Sequence, residues 1–174
     1  EVRNEEFALE KLKSNTFDCI TFFHAAYYLA SEEAEFEELY RRAYDALNPG
    51  GMLLIQAVNE NGDYQALGHP LYSIWAQGEH SFDLLKRILP EARRQDFPTR
   101  FDVSDLLAQK EWVPELGGRF LNLYRFTTQV DSAMPSHDER EKYLAHMRSL
   151  AKENGNGTYL DFSDIVVSVH KPRK

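Results

Sequence analysis

A strand–helix–strand unit between residues 17 and 58 constrains this chain more than any other feature. Phe17-Asp18-Cys19-Ile20-Thr21-Phe22-Phe23 is nearly all apolar, as expected of a strand covered on both faces. After the loop His24-Ala25-Ala26-Tyr27-Tyr28-Leu29, the residues Phe36, Leu39, Tyr40, Ala43 and Leu47 recur at the helical interval and form a buried stripe. Ser31 is placed to cap this helix, with Glu32, Glu33 and Glu35 in its first turns, where the helix dipole favours negative charge. Asn48-Pro49-Gly50-Gly51 then stops it, since proline cannot continue a helix and glycine accepts positive φ. The apolar run 52–58 follows as a second buried strand. Strand, helix and strand in one sheet imply a right-handed crossover. Sheets of this kind bind ligands just beyond the carboxyl ends of their strands. Residues 24–28 and the loop Asn59-Glu60-Asn61-Gly62-Asp63 are therefore expected on one edge, and that edge is where a site belongs.

Further along, residues 5–12 read as a short helix. Tyr64, Leu67, Leu71, Tyr72, Ile74 and Trp75 read as one or two more, interrupted by Gly68 and Pro70. Ser81 opens a better helix carrying Phe82, Leu84, Leu85, Ile88 and Leu89. Phe97, Phe101 and Val103 alternate with polar neighbours, the pattern of a strand returning to the sheet. Residues 106–118 give no clear signal, and 119–130 form a helix with Phe120, Leu121, Leu123, Tyr124 and Phe126. Ser136 and Glu139 have the spacing of a capping box at the start of the last helix, whose apolar side is Leu144, Met147, Leu150 and Ala151. Asn154-Gly155-Asn156-Gly157 ends it, and residues 158–169 are expected as one long final strand, antiparallel at a sheet edge. With no internal repeat, low-complexity tract or linker, residues 1–174 are expected to form a single domain.

Several function classes lack support. The net charge is −8 and the one dense basic run is His170-Lys171-Pro172-Arg173-Lys174, so nucleic acid is not expected as a partner. Cys19 is the only cysteine, which rules out a disulfide within the chain and favours a reducing, cytoplasmic setting. No stretch approaches the roughly 20 apolar residues of a membrane span, and no signal-peptide pattern opens the chain. Asn156-Gly157-Thr158 matches a glycosylation sequon, but Asn-Gly is first of all a turn signal. His69, His80, His137 and His146 are scattered without ligand spacing, so no metal is expected. The nucleophile elbow, phosphate loop and H-E-x-x-H pair are not in the sequence. The one G-x-G, Gly155-Asn156-Gly157, follows a helix instead of a strand.

Phe17-Asp18-Cys19-Ile20 leading to His24 and Tyr27-Tyr28-Leu29, the Leu47-Asn48-Pro49-Gly50-Gly51-Met52-Leu53 turn and the closing helix–strand pair resemble the second half of a class I S-adenosylmethionine-dependent methyltransferase. The aromatic stretch after the first strand, with Ser81-Phe82-Asp83-Leu84-Leu85 and Phe101-Asp102-Val103-Ser104-Asp105, looks like the histamine N-methyltransferase group. The resemblance implies an α/β, Rossmann-like fold, partial here, with a mostly parallel sheet and an antiparallel last strand. That family holds its cofactor on a glycine-rich loop after its first strand and an acidic residue after its second, and neither is in this sequence. The chain is thus expected to be the C-terminal portion of a longer domain, supplying the substrate side and one wall of the cofactor pocket. By itself it is expected to bind S-adenosylmethionine poorly or not at all, and to self-associate through a bared apolar edge.

The implied reaction is in-line methyl transfer to a small molecule, at an amine nitrogen, which needs close alignment of two reactants and no covalent catalytic residue. By resemblance Phe22, Phe23 and His24 line the cofactor, while His24, Tyr27, Tyr28, Asn59, Trp75, Tyr124 and Phe162 face the substrate. Aromatic faces attract both a sulfonium and an ammonium. The residues alone leave plainer roles open: core packing for Phe22, Phe23, Tyr28, Tyr124 and Phe162, a turn for Asn59, and solvent-facing edge positions for Asp161 and Asp164. Trp75, Tyr64 and Tyr72 serve equally as a lid or as helix packing. The competing reading is a non-catalytic α/β module whose aromatic cleft takes a ligand or a partner subunit. The oligomeric state stays open.

Overall fold

A computed structural model describes residues 12–67, 77–108, 114–128 and 135–173. Residues 5–11 of the short helix read at 5–12 and the segment 68–76, with Tyr72 and Trp75, lie outside the described residues. The elements run β1 (Phe17–Phe23), a 3-10 turn (Ala26–Tyr28), α1 (Glu33–Ala46), β2 (Leu47–Val58), α2 (Asp63–Ala66) and α3 (Gly78–Ile88). They continue as β3 (Arg93–Phe97), β4 (Arg100–Asp102), α4 (Ser104–Ala108), α5 (Pro114–Thr128), α6 (His137–Leu150), β5 (Lys152–Asn154), β6 (Gly157–Asp161) and β7 (Asp164–His170). Two compact units interleave in sequence. One comprises Glu1–Ala57, Tyr72–Asp96 and Ile165–Lys174, the other Val58–Leu71 and Phe97–Asp164.

The first unit carries a four-stranded sheet in the order β1-β2-β7-β3. β1 and β2 are parallel, with Ile20 opposite Leu53, Phe22 opposite Ile55 and Phe23 opposite Gln56. Hydrogen bonds join Gly50 and Gly51 to Lys171 at one end of β2 and Asn59 to Ser163 at the other. β7 therefore runs antiparallel to β2, and the sheet is mixed. The expected α/β class and antiparallel last strand hold, but β7 sits between β2 and β3 rather than at an edge. Phe36, Leu39, Tyr40 and Ala43 of α1 pack with Phe22, Leu53, Ile55, Leu84, Leu85, Ile165 and Val167 in one core. Complete burial of a side chain of this size contributes roughly 1.5–3 kcal/mol.

Four local expectations are corrected in this unit. β2 begins at Leu47, already opposite Phe17, so Pro49-Gly50-Gly51 is an irregularity inside the strand and not a turn before it. Gly50 has φ +87°, and a Cβ on Gly51 would stand 2.9 Å from the Asn48 carbonyl oxygen. The helix α1 is capped by Glu32 in a capping box with Glu35. Ser31, the expected cap, instead donates its N–H and hydroxyl to the Glu35 carboxylate at 2.8 and 2.9 Å, and these bonds hold that carboxyl below its usual pKa. α3 starts at Gly78 after the N-cap Gln77, leaving Ser81 inside the helix and fully buried. Finally, β1 is not covered on both faces: Phe22 is buried, whereas Phe17, Cys19, Thr21 and Phe23 are exposed along an edge strand.

Ser81 is tolerated there because its Oγ lies 3.2 Å from the Tyr40 hydroxyl. Burial of Tyr40 pushes its pKa from 10.0 up to about 12. The unfolded chain therefore ionises this group first, so its contribution to stability is complete below pH 10 and is lost as the pH rises toward about 12. Tyr40→Phe is expected to leave the Ser81 hydroxyl without this bond at a cost of about 1–2 kcal/mol near neutrality. It should also flatten the alkaline limb of the stability curve, which denaturant midpoints between pH 8 and 11.5 would show.

The second unit is built on a three-stranded antiparallel sheet, β4-β6-β5, with Phe101 opposite Leu160 and Glu153 opposite Thr158. Val103, Leu106, Phe120, Leu123, Leu144, Met147 and Leu160 form its core. Ser136 caps α6 in the expected capping box, its Oγ accepting from the Glu139 N–H at 3.3 Å. The strand expected through Phe97, Phe101 and Val103 is instead two, broken at Pro98-Thr99, with β3 in one sheet and β4 in the other. The long final strand likewise divides at Phe162-Ser163 into β6 and β7. Among the described residues no helix is long and apolar enough to cross a membrane.

Candidate functional site

The carboxyl ends of β1 and β2 lie side by side because the strands are parallel, and the chain leaves β1 there in an unusual way. Strand alternation directs Phe22 into the core, 6.4 Å from the Tyr40 ring centroid, and Phe23 outward, 55% exposed. His24 follows with φ +48°, a left-handed conformation that residues with a side chain seldom adopt. Its N–H donates to the Gln56 carbonyl at 3.0 Å, which extends the pairing one residue past the strand. Ala26 and Ala30 are buried and anchor the 3-10 turn, in which the Tyr28 N–H donates to the Ala25 carbonyl at 3.1 Å. Tyr28 projects from this turn, 72% exposed. The Tyr27 backbone lies in the turn, while its side chain is outside the described part of the structure.

The other expected site residues are placed differently. Asn59 follows β2, and its Oδ1 accepts the Asn61 N–H at 2.9 Å while its carbonyl accepts the Gly62 N–H at 3.0 Å. That is an Asx turn, the plainer of its two sequence readings. In the second unit Tyr124 stacks on Phe120 at 6.0 Å and meets Tyr143 edge-on at 5.0 Å. Phe162 stacks on Phe101 and meets the edge of Tyr64, both at 5.5 Å. Tyr64 is buried, and its hydroxyl donates to the Phe126 carbonyl at 3.4 Å. The structure therefore groups Phe23, His24 and Tyr28 at one strand end, commits Phe22 to the core, and sets Tyr124 and Phe162 in aromatic clusters of the second unit.

Two structural roles escaped the sequence reading. The Gln56 backbone carbonyl holds the His24 N–H, a bond that any residue at this position would make, so no side-chain signal marked it in the sequence. Asp63, only 7% exposed, accepts the Asp161 N–H at 2.6 Å and pairs with Lys152 at 3.3 Å. Nothing local marked it as buried, because both partners are about 90 residues away or more. Asp161 in turn accepts from the Ser163 N–H at 3.0 Å, so it is a turn residue more than an open edge position. A shallow groove of about 520 Å³ in the second unit is lined by Ser104, Leu107, Arg148, Glu153 and Thr158 among others, and none of the expected site residues that are described lines it. Among the described residues no cluster of His, Cys, Asp or Glu is arranged to hold a metal ion.

No protein-family model matches this sequence, and no curated protein is significantly similar to it. Solved structures are similar in fold. The YcgJ protein from Bacillus subtilis superposes with a TM-score of 0.50 at 13% identity, over 98% of this chain and 71% of that one. A putative methyltransferase from Bacillus halodurans gives 0.46 at 15% identity, over 96% and 70% of the two chains. A SAM-dependent methyltransferase from Archaeoglobus fulgidus gives 0.46 at 12%, over 92% and 62%. At these identities the comparison speaks to architecture alone: the chain has an α/β fold, with a mixed sheet, shared with YcgJ.

Proposed function

We propose that this chain is the C-terminal portion of a class I S-adenosylmethionine-dependent methyltransferase domain of Rossmann-like fold, acting in the cytoplasm on a small molecule at an amine nitrogen. The observation that carries the reading is the end of β1, where exposed Phe23 and Tyr28 flank His24 at φ +48°. Within the sequence resemblance, these are the positions that line cofactor and substrate in the histamine N-methyltransferase group.

The residues present fit one wall of such a site. Phe23 and Tyr28 are exposed aromatic side chains, and a ring face attracts a cationic sulfonium or ammonium by about 0.5–2 kcal/mol. Gly155-Asn156 is the hairpin turn between β5 and β6 and Gly157 opens β6, so this sequence is no cofactor loop. When bound, S-adenosylmethionine supplies the electrophilic methyl group. The work left to this chain is positioning. Phe22 fixes the strand from within the core, Phe23 presents a face to the cofactor, and His24 orients the acceptor from a backbone tied to Gln56. Such alignment is worth several powers of ten in rate when the reacting atoms are held close.

Calorimetric titration of S-adenosylmethionine into this chain and into the longer native product tests the reading. Binding is expected to the longer form only, and silence in both would sink the methyltransferase claim in favour of the non-catalytic module. In the longer form, Phe23→Ala is expected to weaken cofactor binding on the order of tenfold. His24→Ala should lower kcat on the order of a hundredfold. A His24→Ala protein with full turnover would remove His24 from the substrate side.

A further inference from the structure

Three Asn-Gly steps occur in the sequence, Asn61-Gly62, Asn154-Gly155 and Asn156-Gly157. Glycine leaves its own backbone nitrogen unhindered, so at each step that nitrogen can in principle attack the side-chain amide carbon of the asparagine before it. The structure treats the three very differently.

At Asn61-Gly62 the attacking nitrogen is engaged, since the Gly62 N–H donates to the Asn59 carbonyl at 3.0 Å, and Gly62 is buried. At Asn156-Gly157 the glycine is pinned at φ +137°, opposite Asn154 in the β5–β6 ladder, and the site of a Cβ there lies 2.6 Å from the Ser104 Oγ. Asn154-Gly155 differs on each count. Both residues are exposed, they sit where the short edge strand β5 enters the hairpin turn, and nothing lies within 4 Å of a Cβ position on Gly155. In addition, the Asn156 N–H donates to Asn154 Oδ1 at 2.8 Å. That oxygen is where negative charge develops when the amide carbon is attacked, so the donor stands as a preformed oxyanion-type stabiliser.

We propose that Asn154 is a site of spontaneous covalent modification, converting to aspartate and isoaspartate through a cyclic imide. The Gly155 nitrogen loses its proton and bonds to Cγ of Asn154, the Cγ–Nδ2 bond breaks, and ammonia leaves with that proton. Water then adds to either imide carbonyl, opening the ring to aspartate or to isoaspartate. Both products carry a new negative charge, and isoaspartate lengthens the backbone by one methylene at the end of β5. Lys152, two residues earlier on the same strand, holds the buried Asp63, so the change lands beside the polar tie of the second unit.

The test is peptide mapping by mass spectrometry with separation of isoaspartate, after incubating the whole chain at mildly alkaline pH, folded and in guanidinium. In the folded chain Asn154 is expected to convert ahead of Asn61 and Asn156 by on the order of tenfold or more, as one well-placed oxyanion donor warrants. In guanidinium the three should convert at similar rates. Gly155→Val, at a position with open space, should fold and suppress conversion at Asn154. Conversion of Asn154 no faster than Asn61 in the folded chain, or the same ranking folded and unfolded, would overturn the proposal.

Discussion

Gly78→Val is expected to destabilise the first unit by about 3 kcal/mol or more, at the upper end of what overpacking costs. Gly78 is the first residue of α3, and it lies where that helix touches β7. A Cβ at this position would stand 2.6 Å from the Ile165 Cβ, 2.8 Å from its Cδ1 and 3.0 Å from its Cγ1. Ile165 is fully buried and has little room to give. Alanine alone therefore forces helix and strand apart, and the two further methyl groups of valine add to the displacement. Denaturant unfolding measures the loss as a fall in midpoint. A double-mutant cycle with Ile165→Ala assigns the cause, since that change removes two of the three close atoms while keeping Cβ. Partial recovery is the expected result, and strict additivity would show that the glycine is needed for some other reason.

Lys171→Met is expected to cost about 2 kcal/mol, an unusual amount for a lysine with part of its surface in water. The helix α1 has no basic residue in its last turn. Lys171 supplies one from the far end of the chain. Its Nζ donates to the carbonyls of Leu47 at 2.7 Å, Asp45 at 3.0 Å and Tyr44 at 3.3 Å, and to Asn15 Oδ1 at 3.2 Å. It also lies 5.6 Å from the centre of the Tyr44 ring. These carbonyls belong to the helix terminus, where a cation is favoured by the dipole and by the groups left without intrahelical donors. Methionine keeps the apolar stem and removes only the charge and its donors. A hydrogen bond to a charged group contributes about 1.5–3 kcal/mol, and water replaces part of that here. A midpoint shift worth less than about 0.5 kcal/mol would mean that solvent satisfies the helix end equally well.

Features that depend on a few neighbouring residues were legible in the sequence. The bounds of β1, the buried stripe Phe36, Leu39, Tyr40 and Ala43, and the Ser136–Glu139 capping box all match, because periodicity and capping are local. The strand end at Phe23-His24 was legible for the same reason, since a parallel pair has only one carboxyl edge. The misreadings have distant causes. Ser81 looked like a helix cap because a serine is normally costly inside an apolar stripe, and the Tyr40 hydroxyl that satisfies it is 41 residues earlier. Ser31 looked like the cap because serine is a preferred N-cap residue and acidic residues follow it, and only backbone geometry decides which residue starts the helix. The run 158–169 looked continuous because β-forming residues do not record which sheet they will join.

The amino-acid order therefore determined an α/β chain and the strand end from which Phe23, His24 and Tyr28 follow. Only the tertiary structure decided that β7 lies inside the sheet, that Phe22 belongs to the core while Phe23 faces outward, and that Lys171 closes α1. The division has one physical origin. Backbone propensity and periodic burial are set by residues within a turn or two of each other, whereas strand pairing and the partners of buried polar groups are set by segments that meet only after the chain has folded.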